Sequence, residues 1–347
     1  MLRKIATGGM AEVFLAVHEG PEGFEKPVAI KQILPHLASD EHFVRMFLDE
    51  ARIAARLSHP NIVQIFDLGV EGQIHYLAME YLFGESLARL EEQLVRSGRT
   101  LPLEASLFIA TNLCLALHHA HTFSLGAGPQ PIVHRDVSPS NVLLSFDGAV
   151  KLADFGVAKV KGSQKTTTIG LIKGKVGYMA PEQILGEPID SRADLFALGI
   201  VLYELVTGRV PFAGKSMRAV FDAVTNPEPP APASSINPAL PAQIDALLAR
   251  ALRKRPDDRF QTAADFLEAL EDAQRSLSLV TNSLSLGRLV ERTFGPARLP
   301  HSEKSQSTVS RILAYLDAEP LTRAAEGGAA KPGDAGFDEA PTLVRKR

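Results

Sequence analysis

The hydrophobic pattern of this chain changes period once, near residue 86, and that change limits the folds open to it. Before it, Val28-Ala29-Ile30-Lys31 and Ile62-Val63-Gln64-Ile65-Phe66 are short β-branched runs bounded by turn residues, which predict strands. Between them Phe43, Met46, Phe47, Glu50, Ile53 and Leu57 recur at helical spacing, and Ser58-His59-Pro60-Asn61 predicts the stop. Beyond Ser86 the spacing is helical. Leu107, Ile109, Leu113, Leu117 and His121 lie on one long candidate helix, followed by stretches 195–207, 241–252 and 262–270. A small strand-rich part with one main helix, then a larger helical part, predicts an α+β chain of two lobes with a cleft between them. The expected divisions are 1–82, 83–272 and a partly disordered tail, 273–347.

Composition narrows the function classes. Charged residues make up 22% and hydrophobic ones 45%, which excludes a chain disordered throughout. With 37 basic against 40 acidic residues the net charge is −3, so there is no basic footprint for nucleic acid or an anionic membrane. The single cysteine, Cys114, excludes a disulfide framework and reads as a small core residue of a helix in a reducing compartment. His118, His119 and His121 lack the carboxylate or cysteine set of a metal site. No basic-then-apolar leader is read at the start, and the longest apolar stretch, 195–206, is interrupted by Tyr203 and Glu204. A cytoplasmic chain with no membrane span is expected. Residues 126–131 read as a surface loop, 226–241 as extended and 327–340 as disordered, while 309–316 has helical spacing able to dock on the domain or a partner.

Chemistry concentrates in a few short motifs. In His134-Arg135-Asp136-Val137-Ser138-Pro139-Ser140-Asn141 a carboxylate able to accept a hydroxyl proton precedes an amide able to bind a divalent ion. Asp154-Phe155-Gly156 follows the strand-like Val150-Lys151-Leu152. Lys31 stands in a predicted strand with Glu50 on the next helix, and Thr7-Gly8-Gly9-Met10-Ala11-Glu12-Val13 is a glycine-containing turn upstream. Ala180-Pro181-Glu182 follows Asp154. Each motif alone is weak; together and in this order they are strong.

On these residues the chain resembles the protein kinase superfamily, most closely the bacterial Ser/Thr kinases of the eukaryotic-like (Hanks) type, over roughly residues 2–272. The resemblance implies a bilobal fold and transfer of the γ-phosphate of Mg²⁺-bound ATP to hydroxyls of protein substrates. It implies that Lys31, oriented by Glu50, holds the α- and β-phosphates, that Asn141 and Asp154 bind Mg²⁺, and that Asp136 takes the hydroxyl proton. Val13, Ala29 and Leu143 match the positions that sandwich adenine. Met79 matches the gatekeeper and Glu80 to Leu82 the hinge. Ile5, Ala6 and Gly8 lie in the nucleotide loop, and Glu85 is a candidate for the ribose. Arg135 is implied to pair with phosphate on Thr166, Thr167 or Thr168, Glu182 with Arg259, and Asp194 to steady the catalytic loop. Phe155 and His134 are implied to stack in one apolar column.

The chain departs from the family pattern at several positions. Ala6 and Ala11 replace the first and third glycines of the loop, which predicts weaker nucleotide binding. Only Leu2 to Ile5 precede that loop, so a trimmed first strand is expected. Ser138 stands where the pattern has lysine and Lys175 where it has threonine, as though ammonium and hydroxyl had exchanged walls of the cleft. An active kinase is the leading reading and a nucleotide-binding pseudokinase scaffold the alternative. A small-molecule phosphotransferase fits less well, because Ala180-Pro181-Glu182 resembles the peptide-docking segment.

Overall fold

The structure, a computed structural model, describes residues 1–124, 128, 130–155, 175–295 and 312–313. Its strand-rich part is a five-stranded antiparallel sheet of β1 (Arg3–Thr7), β2 (Ala11–Glu19), β3 (Glu25–Ile33), β4 (Ile65–Glu71) and β5 (Ile74–Glu80), in the order β1-β2-β3-β5-β4. The first strand is present and pairs with β2 through a bulge between Lys4 and Ala6. Helix α1 (Glu41–Ala54) starts at Asp40, whose side chain accepts from the His42 N–H, and its buried face carries Phe47, Glu50, Ala51 and Ala54. The predicted strand at 62–66 begins three residues late. Ile62 instead makes an isolated parallel bridge to Leu152 of the lower lobe.

The second lobe opens with β6 (Gly84–Ser86), α2 (Leu87–Arg96) and α3 (Leu103–His121), then β7 (Val142–Ser145) and β8 (Val150–Leu152). The three short strands pair antiparallel in the order β6-β7-β8. Helices α4 (Pro181–Leu185), α5 (Arg192–Thr207), α6 (Met217–Thr225), α7 (Ala242–Ala251) and α8 (Ala263–Ser276) complete it. Helix α5 is buried on all sides, so its apolar run is the lobe's central post. Among the described residues no helix is long and apolar enough to cross a membrane. Cys114 lies fully buried on α3, where burial pushes its thiol up. The stretch 226–241 is not simply extended: Ala233–Ser235 form a 3-10 turn with Ala233 buried.

The expected tail contains ordered structure. Helix α9 (Ser283–Phe294) seats Leu286, Val290 and Phe294 in the main core, against α2 and β7. The contact with the β7–β8 turn is close enough to require glycine on both sides. A Cβ on Gly148, whose φ is +85°, would lie 1.7 Å from the Ser283 carbonyl oxygen. A Cβ on Gly287 would lie 2.6 Å from that of Phe146. The loop 126–131 is described only at Gly128, Gln130 and Pro131, and 327–340 lies outside the described residues.

Candidate active site

One ammonium ties the two lobes together across the cleft. Lys31 lies on β3, opposite Val13 of β2 and Leu77 of β5. Its Nζ donates to Glu50 Oε1 at 2.7 Å and to Asp154 Oδ1 at 2.9 Å, the latter just beyond β8. Burial alone would depress this ammonium, but Asp154 and Glu50 outweigh it and hold its pKa above the ordinary lysine value. Lys31 is therefore a permanent cation within the cleft.

The loop below is held in a conformation that ordinary residues resist. Arg135 and Asp154 have φ of +66° and +57°, a region that costs about 1–3 kcal/mol without support. Asp194, buried at the start of α5, provides that support: its Oδ2 and Oδ1 accept the N–H groups of His134 and Arg135, both at 2.7 Å. His121 Nε2 bonds the same carboxylate at 2.8 Å, a role that no local sequence signal announced. His134 carries the connection onward. Its Nδ1 accepts the Asp136 N–H at 3.2 Å, so Nε2 bears the proton and donates to the Ala153 carbonyl at 3.0 Å. Burial lowers the pKa of this imidazole, consistent with that neutral tautomer. Its ring packs 4.5 Å from that of Phe155. A continuous path thus runs from α5 through His134 to the residue preceding Asp154.

Asp136 and Asn141 meet within this frame. Asn141 Nδ2 donates to the Asp136 carbonyl at 2.8 Å and to its Oδ2 at 3.0 Å. Together with Asp154, Asn141 supplies hard oxygen donors of the kind a divalent cation shares with phosphates. Ser138 sits beside Asp136, whose carbonyl its hydroxyl meets at 3.5 Å. It is 1% exposed, and its hydroxyl bonds Ser140 at 3.1 Å within the loop. Lys175 opens a 3-10 turn, Lys175–Tyr178, and its side chain lies outside the described residues, as do Thr166, Thr167 and Thr168.

Above the loop the strand register gathers an apolar shelf. Val13 opposes Lys31, and Ala29 opposes both Leu15 and Met79, so these side chains share one face of the sheet. Glu80 and Leu82 lie where β5 leaves the sheet, and Glu80 is held by Lys151 at 2.9 Å. Leu143 on β7 and Ile5, Ala6 and Gly8 on β1 and its turn complete the candidate set. Neither Ala6 nor Ala11 has a positive φ, so alanine brings no backbone strain there, and the Ala11 methyl packs with Ile33, Phe47, Ala51 and Leu77. Glu85 departs from the ribose expectation. Its side chain is 2% exposed and ion-paired with Arg89 at 3.5 Å, which withholds the carboxylate from a solvent-facing hydroxyl.

The Ala180-Pro181-Glu182 segment is bolted to the helical lobe. Glu182 and Arg259 form a bidentate pair at 2.7 and 2.8 Å, and Arg259 also donates to the carbonyls of Arg192, Arg253 and Lys254. Gln183 donates to the Arg135 carbonyl at 3.1 Å, linking the segment to the loop.

A second acidic group sits beside the loop unforeseen. Glu204 accepts from the Tyr178 hydroxyl, and Glu91 lies beside it with a buried Oε1 that has no hydrogen-bond partner among the described residues. Burial and then Glu204 push the Glu91 carboxyl up from 4.5 to about 9. An acid raised this way keeps its proton in the folded state, so its burial destabilises the fold progressively as pH rises between those values. Glu91→Gln, which mimics the protonated form, will leave the melting temperature unchanged below about pH 4 and raise it increasingly toward about pH 9. Parallel melting curves at all pH values would contradict that assignment.

Comparison with known proteins agrees with this geometry. A family model described as "Protein kinase domain" matches residues 1–270. The chain is 39% identical over 355 residues to the tyrosine-protein kinase MasK of Myxococcus xanthus, covering 99% of this chain and 55% of that protein. It is 39% identical over 265 residues to the serine/threonine-protein kinase PrkC of Bacillus subtilis, covering 76% of this chain and 39% of that protein. The chain therefore spans about half or less of the length of these relatives. The crystal structure of the Mycobacterium tuberculosis PknI kinase domain is similar with a TM-score of 0.58 at 32% identity, covering 78% of this chain and 94% of the other. Members of this family use ATP with a divalent metal on protein substrates. The chain belongs to the protein kinase family.

Proposed function

We propose that this chain is an active Ser/Thr protein kinase of the bacterial Hanks type, acting in cytoplasmic signalling. The observation that carries this reading is the Lys31 ammonium held at once by Glu50 and Asp154, which supports a phosphate-binding role for the lysine and a metal-binding role for Asp154. Lys31 would hold the α- and β-phosphates of ATP, and Asp154 and Asn141 would hold Mg²⁺, whose bound charge screens the phosphate oxygens. Asp136 takes the proton of the attacking hydroxyl, kept in place by Asn141. Val13, Ala29, Met79 and Leu143 would enclose the adenine, and the backbone of Glu80 to Leu82 would meet its edge. A purified chain incubated with ATP labelled at the γ-phosphate, followed by phosphoamino-acid analysis, tests transfer and hydroxyl preference together.

The pseudokinase alternative has one observation in its favour: Ser138 offers no ammonium where the family pattern has lysine, and its hydroxyl is turned into the loop. ATP binding without any transfer would select it.

Regulation through Arg135 follows from the same reading. Its Nε is buried without a hydrogen-bond partner among the described residues, an arrangement that a phosphate oxygen would satisfy. Thr166, Thr167 and Thr168 are the candidate carriers. The triple Thr→Val variant will lose most of its activity while Arg135 keeps its place; unchanged activity would show those threonines to be loop alone.

A further inference from the structure

Ile312 lies well beyond the helical lobe in sequence, yet it is only 1% exposed. It shares an apolar cluster with the fully buried Leu15 of β2, and Ile5, Tyr81, Phe83, Phe146 and Leu313 pack against them. These neighbours belong to three parts of the molecule. Ile5 and Leu15 are on the upper sheet, Tyr81 and Phe83 on the connection between lobes, and Phe146 on the β7–β8 turn below. Phe83 and Phe146 meet edge to face at 5.0 Å, and the Phe146 N–H donates to the Phe83 carbonyl at 3.0 Å. One isoleucine of the tail therefore packs where both lobes and their hinge converge.

The position bears on the nucleotide shelf. Leu15 stands opposite Ala29 in register, so its side chain lies on the sheet face shared by Val13, Ala29 and Lys31. The hinge beside Ile312 is incompletely packed. A cavity of about 540 Å³ runs along it, lined by Phe66, Glu80, Tyr81, Phe83, Lys151 and Ile312 among others. A connection with few packed neighbours opens readily, and an apolar side chain wedged against it restricts that opening.

We propose that the tail segment at Ile312 is a strap in cis on the hinge, holding the lobes at the angle that closes the nucleotide subsite and slowing nucleotide release. The surface formed by Leu15, Tyr81, Phe83 and Phe146 is thus the docking site of this chain's own tail. The inference rests on the nucleotide reading of the cleft. Ile312 acts through Leu15 and the hinge, as a positioning residue. Anything that draws the tail away would loosen the nucleotide and so regulate turnover.

The test uses the full chain with Ile312→Asp and the milder Ile312→Ala, a fluorescent ATP analogue with Mg²⁺, and amide hydrogen exchange. Nucleotide dissociation should accelerate about fivefold or more in Ile312→Asp, the lower end of ordinary coupling between sites, and less in Ile312→Ala. Exchange should rise at residues 80–86 and 13–17 while α5 and α8 keep their protection. Unchanged dissociation with unchanged hinge protection would overturn the strap. So would protection lost equally in α5 and α8, which would make Ile312 a general core residue. If the wild-type chain fails to bind the analogue, the nucleotide reading fails by itself, and hinge exchange alone then decides whether Ile312 restrains the lobes.

Discussion

Asp136→Asn is expected to lower the turnover of phosphate transfer by at least about 10²-fold while largely sparing ATP affinity. The substitution is nearly isosteric, and backbone groups anchor the surrounding loop. His134 Nδ1 receives the backbone N–H of residue 136, and Asp194 fixes the two residues before it through their own N–H groups. An asparagine oxygen can still accept from Asn141, which now reaches Asp136 Oδ2 at 3.0 Å. What the amide cannot do is take a proton from the attacking hydroxyl. The loss should therefore fall on kcat, with the KM for ATP little changed. Equal turnover in the two proteins would assign any observed activity to a contaminant.

The largest stability effect is expected at Arg259. Its guanidinium is fully buried, with both carboxylate oxygens of Glu182 and three backbone carbonyls as partners. Arg259→Leu leaves the Glu182 charge buried without its counterion, a change that costs about 3–5 kcal/mol in comparable pairs. Denaturant unfolding should show that loss, and Arg259→Leu/Glu182→Leu should recover a substantial part of it, because the stranded charge goes with its partner. A double variant as unstable as the sum of its parts would mean that the carbonyl contacts, and not the ion pair, hold the segment.

The sequence announced elements whose periodicity is long enough to read. Helices α1, α3, α5, α7 and α8 all follow from apolar spacing, and β3 from its β-branched run. The strands β6 and β7, at Gly84–Ser86 and Val142–Ser145, are too short to display a period and exist because the lobes meet there. Helix α9 was hidden by Gly287, which weakens helix propensity in isolation but admits the β7–β8 turn at a distance no side chain would allow. The site divides in the same way. Lys31, Glu50, Asp136, Asn141 and Asp154 are legible because the chemistry ties each residue type to a motif. His121 and Glu91 are not, since their partners Asp194 and Glu204 come from α5, far along the chain, and only packing brings them together. The loop alanines looked costly by composition; the backbone they occupy needs no glycine.

Transfer itself is the most direct test. The wild-type chain with Mg²⁺ and ATP labelled at the γ-phosphate should incorporate label on serine or threonine, with part of it on Thr166, Thr167 or Thr168, and Asp136→Asn should incorporate none above background. An intact chain that binds ATP yet labels neither itself nor any protein offered to it would contradict the account and identify the molecule as a nucleotide-bound scaffold.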